Sequence, residues 1–157
     1  LLSMEAIDRA EKIVYIADGY YNYRIAQSSI SHSLSLKHYG DMDIVYRNTL
    51  EYMKYWKMDE YRALCCMRKV ESGLSCLYST ACEVREGKRS FGDFKVLASY
   101  IVSDKEYWNA LAECKEKLSF PKRMICRLMQ NNHIKTVFGF MCIDNLFKRY
   151  CKKMETD

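Results

Sequence analysis

The chain has 157 residues, enough for one domain to close a hydrophobic core without disulfide or metal staples. Hydrophobic residues make up 49% and charged residues 29%, and the single proline and six glycines leave few places for turns, so the composition favours helices. The net charge of +5 is spread along the chain, and no apolar run reaches the roughly 18 residues of a membrane-spanning helix. We expect one helical domain over residues 1–157, and we leave open a membrane anchor beyond residue 157.

Helical periodicity starts near the first residue. Apolar residues recur every three or four positions from Met4 to Tyr21, which predicts an amphipathic helix over residues 3–26. The segment 28–36 alternates serine with apolar residues as a strand would, but a lone strand has no partner here. We therefore favour a helix that starts at Leu36, is interrupted or bent near Gly40 and continues through Met53.

Two longer apolar stripes occupy the middle of the chain. The first begins at Leu64 and stops at Gly87, and it is either one long helix or two short ones. The second runs along one helical face from Phe91 to Leu111. A capping-box pattern at residues 103–106 would divide this second helix, but we favour a continuous one.

The last third of the chain predicts two more helices. Pro121 fits the first turn of one, and Asn131 and Asn132 offer its stop. The final helix carries apolar residues from Ile134 to Tyr150. The total is seven or eight helices, and no repeat of 30 to 45 residues suggests a solenoid.

Catalytic motifs are missing from the sequence. It has no Gly-rich phosphate loop, no G-x-S-x-G, no H-E-x-x-H and no paired carboxylates beside a histidine. Cys65 and Cys66 next to Arg68 and Lys69 could be read as an activated thiol, but no base is placed for it. We expect no enzyme activity, no cofactor and no small-molecule substrate. Tyrosines interleaved with basic residues could stack nucleic-acid bases, but half-buried helix faces explain them better, so we expect no nucleic-acid partner.

The cysteine content leaves two readings open. The eight cysteines are Cys65, Cys66, Cys76, Cys82, Cys114, Cys126, Cys142 and Cys151. An even count could mean a secreted four-bridge framework, but most of them fall within helical patterns among apolar residues, so we favour reduced, buried thiols. There is no C-x-x-C pair, and the three histidines have no ligand-like spacing with the cysteines, so we expect no metal.

Three glycine-centred motifs occur in a suggestive order. Residues 36–41 form an L-x-x-x-G-D arrangement through Leu36, Gly40 and Asp41, which resembles the third homology region of the Bcl-2 family of apoptosis regulators. Residues 84–93 resemble that family's first region, F-x-D-G…N-W-G-R, with only the glycines matching outright. Gly139 and Phe140 lie in a segment similar to the second region, W-I-x-x-x-G-G-W-x-x-F, and the first predicted helix is similar to the fourth region.

The resemblance covers nearly the whole chain and implies a fold. That fold is a Bcl-2-like bundle of seven to eight helices, with a central helical hairpin opened by the first region and a surface hydrophobic groove that receives a partner's amphipathic helix. Carried over position by position, the groove residues would be Met42, Tyr46, Leu50, Met53, Leu77, Ala81, Phe91, Gly92, Val96, Tyr100 and Phe147. For each of them, ordinary core packing is the alternative.

One position departs from the family pattern. Where the family carries an arginine that pairs with the partner's aspartate, this chain has Asp93, which would repel that carboxylate. Lys88, Arg89 or Lys95 could substitute from a neighbouring turn, or recognition relies more on apolar anchors.

The function implied by the resemblance is regulation of apoptosis. We expect a pro-survival protein that binds the death-motif helices of pro-apoptotic relatives, in the cytoplasm or on the cytosolic face of the mitochondrial outer membrane. A pore-forming effector of the same family and an unrelated helical adaptor, viral or secreted, are the alternatives.

Overall fold

The structure, a computed structural model, describes residues 9–12 and 36–154, and the side chains of residues 9–12 and 36–144. Of the predicted helix over residues 3–26 the structure describes only residues 9–12, and residues 10–12 are not helical, so the prediction is wrong there. The rest of that helix and the serine-rich segment before Leu36 lie outside the described residues. From residue 36 onward six α-helices follow in order. They are α1 (Leu36–Tyr55), α2 (Arg62–Arg85), α3 (Phe91–Ser103), α4 (Lys105–Cys114), α5 (Phe120–Gln130) and α6 (Ile134–Met154). Over the described residues the predicted all-helical character is confirmed.

Helix α2 is the centre of the bundle. It packs against α1, α3, α4 and α6, and residues on several of its faces are buried. Those buried residues are Cys66, Lys69, Val70, Gly73, Leu74, Cys76, Leu77, Thr80 and Ala81. A helix that is apolar on several faces belongs inside a bundle, because each face needs a partner. The resemblance implied a central helix opened by the residues around Gly92, whereas the central helix of this structure precedes them in the chain.

Helix α1 runs without a break across Gly40, so the predicted interruption there is wrong. Glycine costs a helix interior about 1 kcal/mol relative to alanine. The buried side chains of Tyr39, Tyr46 and Met53 pack on one face of α1, and this tertiary packing holds the helix together across the glycine.

The stripe from Phe91 to Leu111 is divided into α3 and α4, so the predicted continuous helix is wrong. The break is at Asp104, whose extended backbone precedes α4. Its Oδ1 accepts hydrogen bonds from the backbone N–H groups of Glu106 at 2.9 Å and Tyr107 at 3.2 Å. An aspartate cap of this kind stabilises a helix start by about 1 kcal/mol.

Other helix ends follow the predicted signals. Gly87 has a positive φ of 72° just after α2, and Asn132 has a φ of 58° just after α5. Pro121 lies in the first turn of α5, where its missing N–H costs nothing. The start of α3 was not predicted from such a signal: Ser90 and Asp93 form a reciprocal capping box there.

Neighbouring helices approach α2 closely at Gly73. A Cβ built on Gly73 would lie 2.8 Å from Cε2 of Tyr107 and 3.2 Å from Cε2 of Tyr39. Both rings are fully buried, so they have little room to retreat. Glycine at this position allows α4 and α1 to pack tyrosine rings directly on the backbone of the central helix.

We expect Gly73→Ala to lower the free energy of unfolding by about 1–3 kcal/mol, because the new methyl group overpacks two buried rings. Gly40→Ala is the matched control, since a Cβ there meets nothing within 4 Å and alanine favours the helix. Urea denaturation of both variants measures the difference. An equal response of the two glycines would contradict the close packing at Gly73.

Candidate functional site

A surface groove of about 380 Å³ lies between α1 and the first half of α2. The short 3₁₀ turn Asp59–Tyr61 connects the two helices beside it. Thirteen residues line the groove: Met42, Val45, Tyr46, Thr49, Met53, Trp56, Met58, Tyr61, Leu64, Cys65, Arg68, Lys69 and Ser72. The lining is predominantly apolar, so the groove suits an apolar ligand surface.

The walls of the groove include large apolar side chains that face solvent. Val45, Met58, Tyr61 and Leu64 keep between 37% and 47% of their surface exposed. Burying apolar surface is favourable by about 25 cal/mol per Å². A partner that covered these four side chains would gain free energy from each of them, and contiguous exposed apolar surface of this kind is typical of binding sites.

The floor of the groove is packed and polar contacts within it are satisfied. Tyr46 is buried, and its hydroxyl lies 3.7 Å from Sγ of Cys66 in a weak hydrogen bond. Burial raises the pKa of Tyr46 above its ordinary value, so the ring stays neutral at physiological pH. The floor is therefore a fixed surface against which an apolar anchor can rest.

One of the residues that line the groove, Lys69, is a buried lysine. The ammonium group of Lys69 pairs with Asp43 on α1 and lies 2.8 Å from Oδ2 of Asp104, the residue that caps α4. It is also 4.7 Å from the ring centroid of Tyr39, whose hydroxyl donates to the same Oδ2 of Asp104 at 2.7 Å. One buried cation thus joins α1, α2 and the start of α4.

The carboxylates of this network are held by several donors. Burial alone would raise the pKa of Asp104, but the hydrogen bonds from Lys69 and Tyr39 outweigh it and hold that pKa below its usual value. Asp43 also accepts from Arg47 at 2.6 Å, and Arg47 reaches Glu106 at 3.0 Å. The ion pairs of Arg47 are exposed and contribute little to stability by themselves. Lys69 is therefore the main link between the helices.

The thiols near the groove are not activated. Burial raises the pKa of Cys65, in the groove wall, and of its neighbour Cys66. A thiol with a raised pKa is mostly protonated and a weak nucleophile, which argues against reading this pair as a reactive centre. The seven cysteines from Cys65 to Cys142 are free, and no group of metal ligands occurs among the described residues.

Three of the residues that sequence reasoning assigned to a groove line this one: Met42, Tyr46 and Met53. Leu50 is partly buried against the core next to them. Leu77 and Ala81 are fully buried in the core of α2, where they face other helices instead of an open surface.

The predicted groove residues on α3 lie outside this groove. Phe91 packs on Phe138 of α6 with ring centroids 5.1 Å apart. Gly92 is exposed, and Val96 and Tyr100 are exposed at 60% and 49%. The side chain of Phe147 lies outside the described residues.

Asp93, the departure from the family pattern, has a structural role. Its carboxylate accepts hydrogen bonds from the backbone N–H of Ser90 at 2.9 Å and from the Ser90 hydroxyl at 2.8 Å. These bonds hold the pKa of Asp93 below its usual value. The side chain therefore caps α3.

The homology-motif residues fall at two places. Leu36, Gly40 and Asp41 lie in the first turns of α1, with Leu36 and Asp41 exposed. Gly139 lies on α6, where a Cβ would meet nothing within 4 Å, and Phe140 packs partly buried against the core. None of the five lines the groove.

Sequence reasoning missed most of the second wall. Met58, Tyr61, Leu64 and Arg68 come from the connector and the start of α2. The available signal was the spacing of Tyr61, Leu64 and Arg68, which are three and four residues apart and share a helical face.

Comparison with known proteins gives no relative for this chain. No protein-family model, no curated protein and no solved structure matches it. In the described part of the chain, no helix combines the length and apolar character needed to cross a bilayer.

We expect the stabilising effect of Asp104 to depend on pH. Because its folded pKa is depressed, its contribution is present above the unfolded value of about 3.9 and is lost as pH falls through the lower folded value. The free energy of unfolding of the wild type and of Asp104→Asn, measured in urea from pH 7 to pH 2.5, should converge at low pH. A difference that stays constant with pH would contradict the network.

Proposed function

We propose that this protein binds an amphipathic helix of a partner protein in the groove between α1 and α2. From the resemblance to the Bcl-2 family, we further propose that the partners are the death-motif helices of pro-apoptotic proteins and that the binding is pro-survival. The apolar groove, with its exposed wall of Val45, Met58, Tyr61 and Leu64, is the observation that supports the proposal most.

The dimensions of the groove suit a helix. Its α1 wall runs from Met42 to Met53, about three helical turns, which is longer than the roughly two turns over which anchors at i, i+3 or i+4 and i+7 are placed on a partner. Each half-exposed leucine- or valine-sized side chain that becomes fully covered contributes on the order of 1 kcal/mol. Several such anchors together can offset the cost of association.

One cation at the groove is available to a ligand. Arg68 is exposed, lines the groove and has no ion pair with another described residue, whereas Lys69 is buried and neutralised by Asp43 and Asp104. We propose that Arg68 pairs with a carboxylate on the partner's helix and fixes its register. This would assign to α2 the role that the family pattern places at position 93.

The proposal is tested by titrating non-fluorescent death-motif helix peptides into the Trp108→Phe variant. The chain has two tryptophans, so this variant leaves Trp56, which lines the groove, as the fluorescence reporter. We expect saturable binding with a Kd in the micromolar range or tighter. Leu64→Glu should weaken it at least about tenfold, because a charge would be buried against the peptide.

Val96→Glu is the matched control, because Val96 is 60% exposed on α3 and lies outside the groove. It should leave the Kd unchanged. Arg68→Ala should weaken the binding of peptides that carry the carboxylate and leave the binding of their amide counterparts unchanged. Binding that is lost in Val96→Glu and kept in Leu64→Glu would place the site on α3 and contradict the groove assignment.

A second candidate, an adaptor unrelated to cell death, is favoured by the role of Asp93 as a helix cap and by a central helix that precedes it. Such an adaptor would use the same groove but bind helices other than death motifs. Binding of acidic amphipathic helices in general, without preference for death motifs, would support the adaptor. Dye release from liposomes on adding a death-motif peptide would instead support a pore-forming effector, and protection of liposomes from a known effector would support the pro-survival role.

A further inference from the structure

A second recess lies on another part of the bundle, between α4 and α5. It has a volume of about 800 Å³, and the turn Lys115–Lys117 connects its two helices. Its lining residues are Trp108, Leu111, Ala112, Lys115, Phe120, Arg123, Met124, Cys126, Arg127 and Gln130. None of them lines the groove between α1 and α2, so the two sites are separate. We call this recess the basic cleft.

The basic cleft combines apolar surface with unneutralised positive charge. Lys115 and Arg127 are exposed, and within the described part of the chain neither has a carboxylate partner. Arg123 reaches Glu116 at 3.5 Å, but the Glu116 side chain is 87% exposed, so that pair contributes little. The lining itself contains no acidic residue.

Two aromatic rings supply the apolar part of the cleft. Phe120, at the start of α5, is 70% exposed. The ring of Trp108 is held in place because its indole N–H donates to the carbonyl of Val102 at 2.8 Å. Both rings line the cleft, and an apolar anchor that covered Phe120 could pack against the fixed ring of Trp108 with little loss of conformational entropy at that ring.

We propose that the basic cleft binds a short acidic segment of a protein partner, in which one apolar or aromatic anchor is flanked by carboxylates. The anchor packs between Phe120 and Trp108, and the carboxylates pair with Lys115, Arg123 and Arg127. Charge complementarity identifies the partner's chemistry: three positive side chains in the lining of a partly apolar recess, with no acidic residue among them, attract carboxylates and repel lysine-rich segments.

The shape of the cleft favours a peptide over other polyanions. A membrane surface is contacted by a broad set of protruding apolar side chains, whereas only Phe120 among the large apolar lining residues is exposed here, and Leu111 and Cys126 are buried. A nucleic acid needs a row of cations that follows its phosphates, whereas the three cations here line a single recess together with apolar side chains. An acidic peptide with a central anchor satisfies both the recess and its charged rim.

The test uses the full chain with Trp56→Phe, which leaves Trp108 in the cleft as the reporter. The probe is a peptide with a central phenylalanine flanked by glutamates, and its partner controls replace the phenylalanine by alanine or the glutamates by glutamines. We expect saturable quenching or a spectral shift of Trp108 with the first peptide, and binding at least about tenfold weaker with either control.

Charge reversal locates the binding. Lys115→Glu combined with Arg127→Glu should weaken the binding of the acidic peptide at least about tenfold, because both attractive groups become repulsive. The matched control is Lys37→Glu with Lys54→Glu, which changes the net charge equally on exposed lysines of α1 outside the cleft, and it should have little effect.

Three results would overturn the proposal. The first is the absence of a saturable Trp108 signal up to millimolar peptide. The second is an equal loss of peptide binding in the cleft double variant and the α1 double variant. The third is tighter binding of single-stranded oligonucleotides or anionic phospholipid vesicles than of the peptide. Saturable peptide binding lost only in the cleft variant would support it.

Discussion

The fold depends on the ion pairs of one buried lysine. Taking an ammonium group out of water costs several kcal/mol, and a lysine stays charged inside a protein only where counter-charges and hydrogen bonds replace the lost solvent. Lys69 has both, because Asp43 and Asp104 accept from it and the rings of Tyr39 and Tyr46 lie close to its charge. Since the three charged groups come from three different places in the chain, the lysine ties α1 and the start of α4 to α2.

The candidate groove is a consequence of that arrangement. Asp43 lies one position from Met42 and two from Val45, and Lys69 follows Arg68, so the network and the groove lining share the same turns of α1 and α2. By fixing the separation of the two helices, the network would keep the groove from collapsing onto its own apolar walls. The ion pairs of Lys69 would then stabilise the binding surface as well as the fold.

Local signals in the sequence predicted helix ends well, because each depends on one or two residues. Gly87 and Asn132 end helices through their positive φ, and Pro121 starts one. A break near Asp104 was weighed, because residues 103–106 offer a capping-box pattern, but a continuous helix was wrongly favoured because the apolar stripe from Phe91 to Leu111 stays in phase across it. A cap stabilised by about 1 kcal/mol leaves no trace in a hydrophobic pattern.

The groove was only partly predictable. A helical stripe shows that residues are apolar but not whether other helices cover them. Met42, Tyr46 and Met53 were therefore assigned to the groove correctly. Leu77 and Ala81 were assigned to the same surface although they are fully buried. The second wall depends on how the chain turns between α1 and α2. The role of Lys69 was also hidden, because a lysine in a helix is usually solvated and its partners are distant in sequence.

The most direct test of this account is the free energy of unfolding of Lys69→Met, measured in urea at pH 7 beside Lys54→Met, the same substitution at an exposed position of α1. The account predicts a loss of about 3 kcal/mol for Lys69→Met, because two partly buried carboxylates lose their shared cation, and almost none for Lys54→Met. It also predicts that adding Asp43→Asn and Asp104→Asn to Lys69→Met recovers part of the loss. A Lys69→Met variant as stable as Lys54→Met, or one not improved by removing the carboxylate charges, would contradict it.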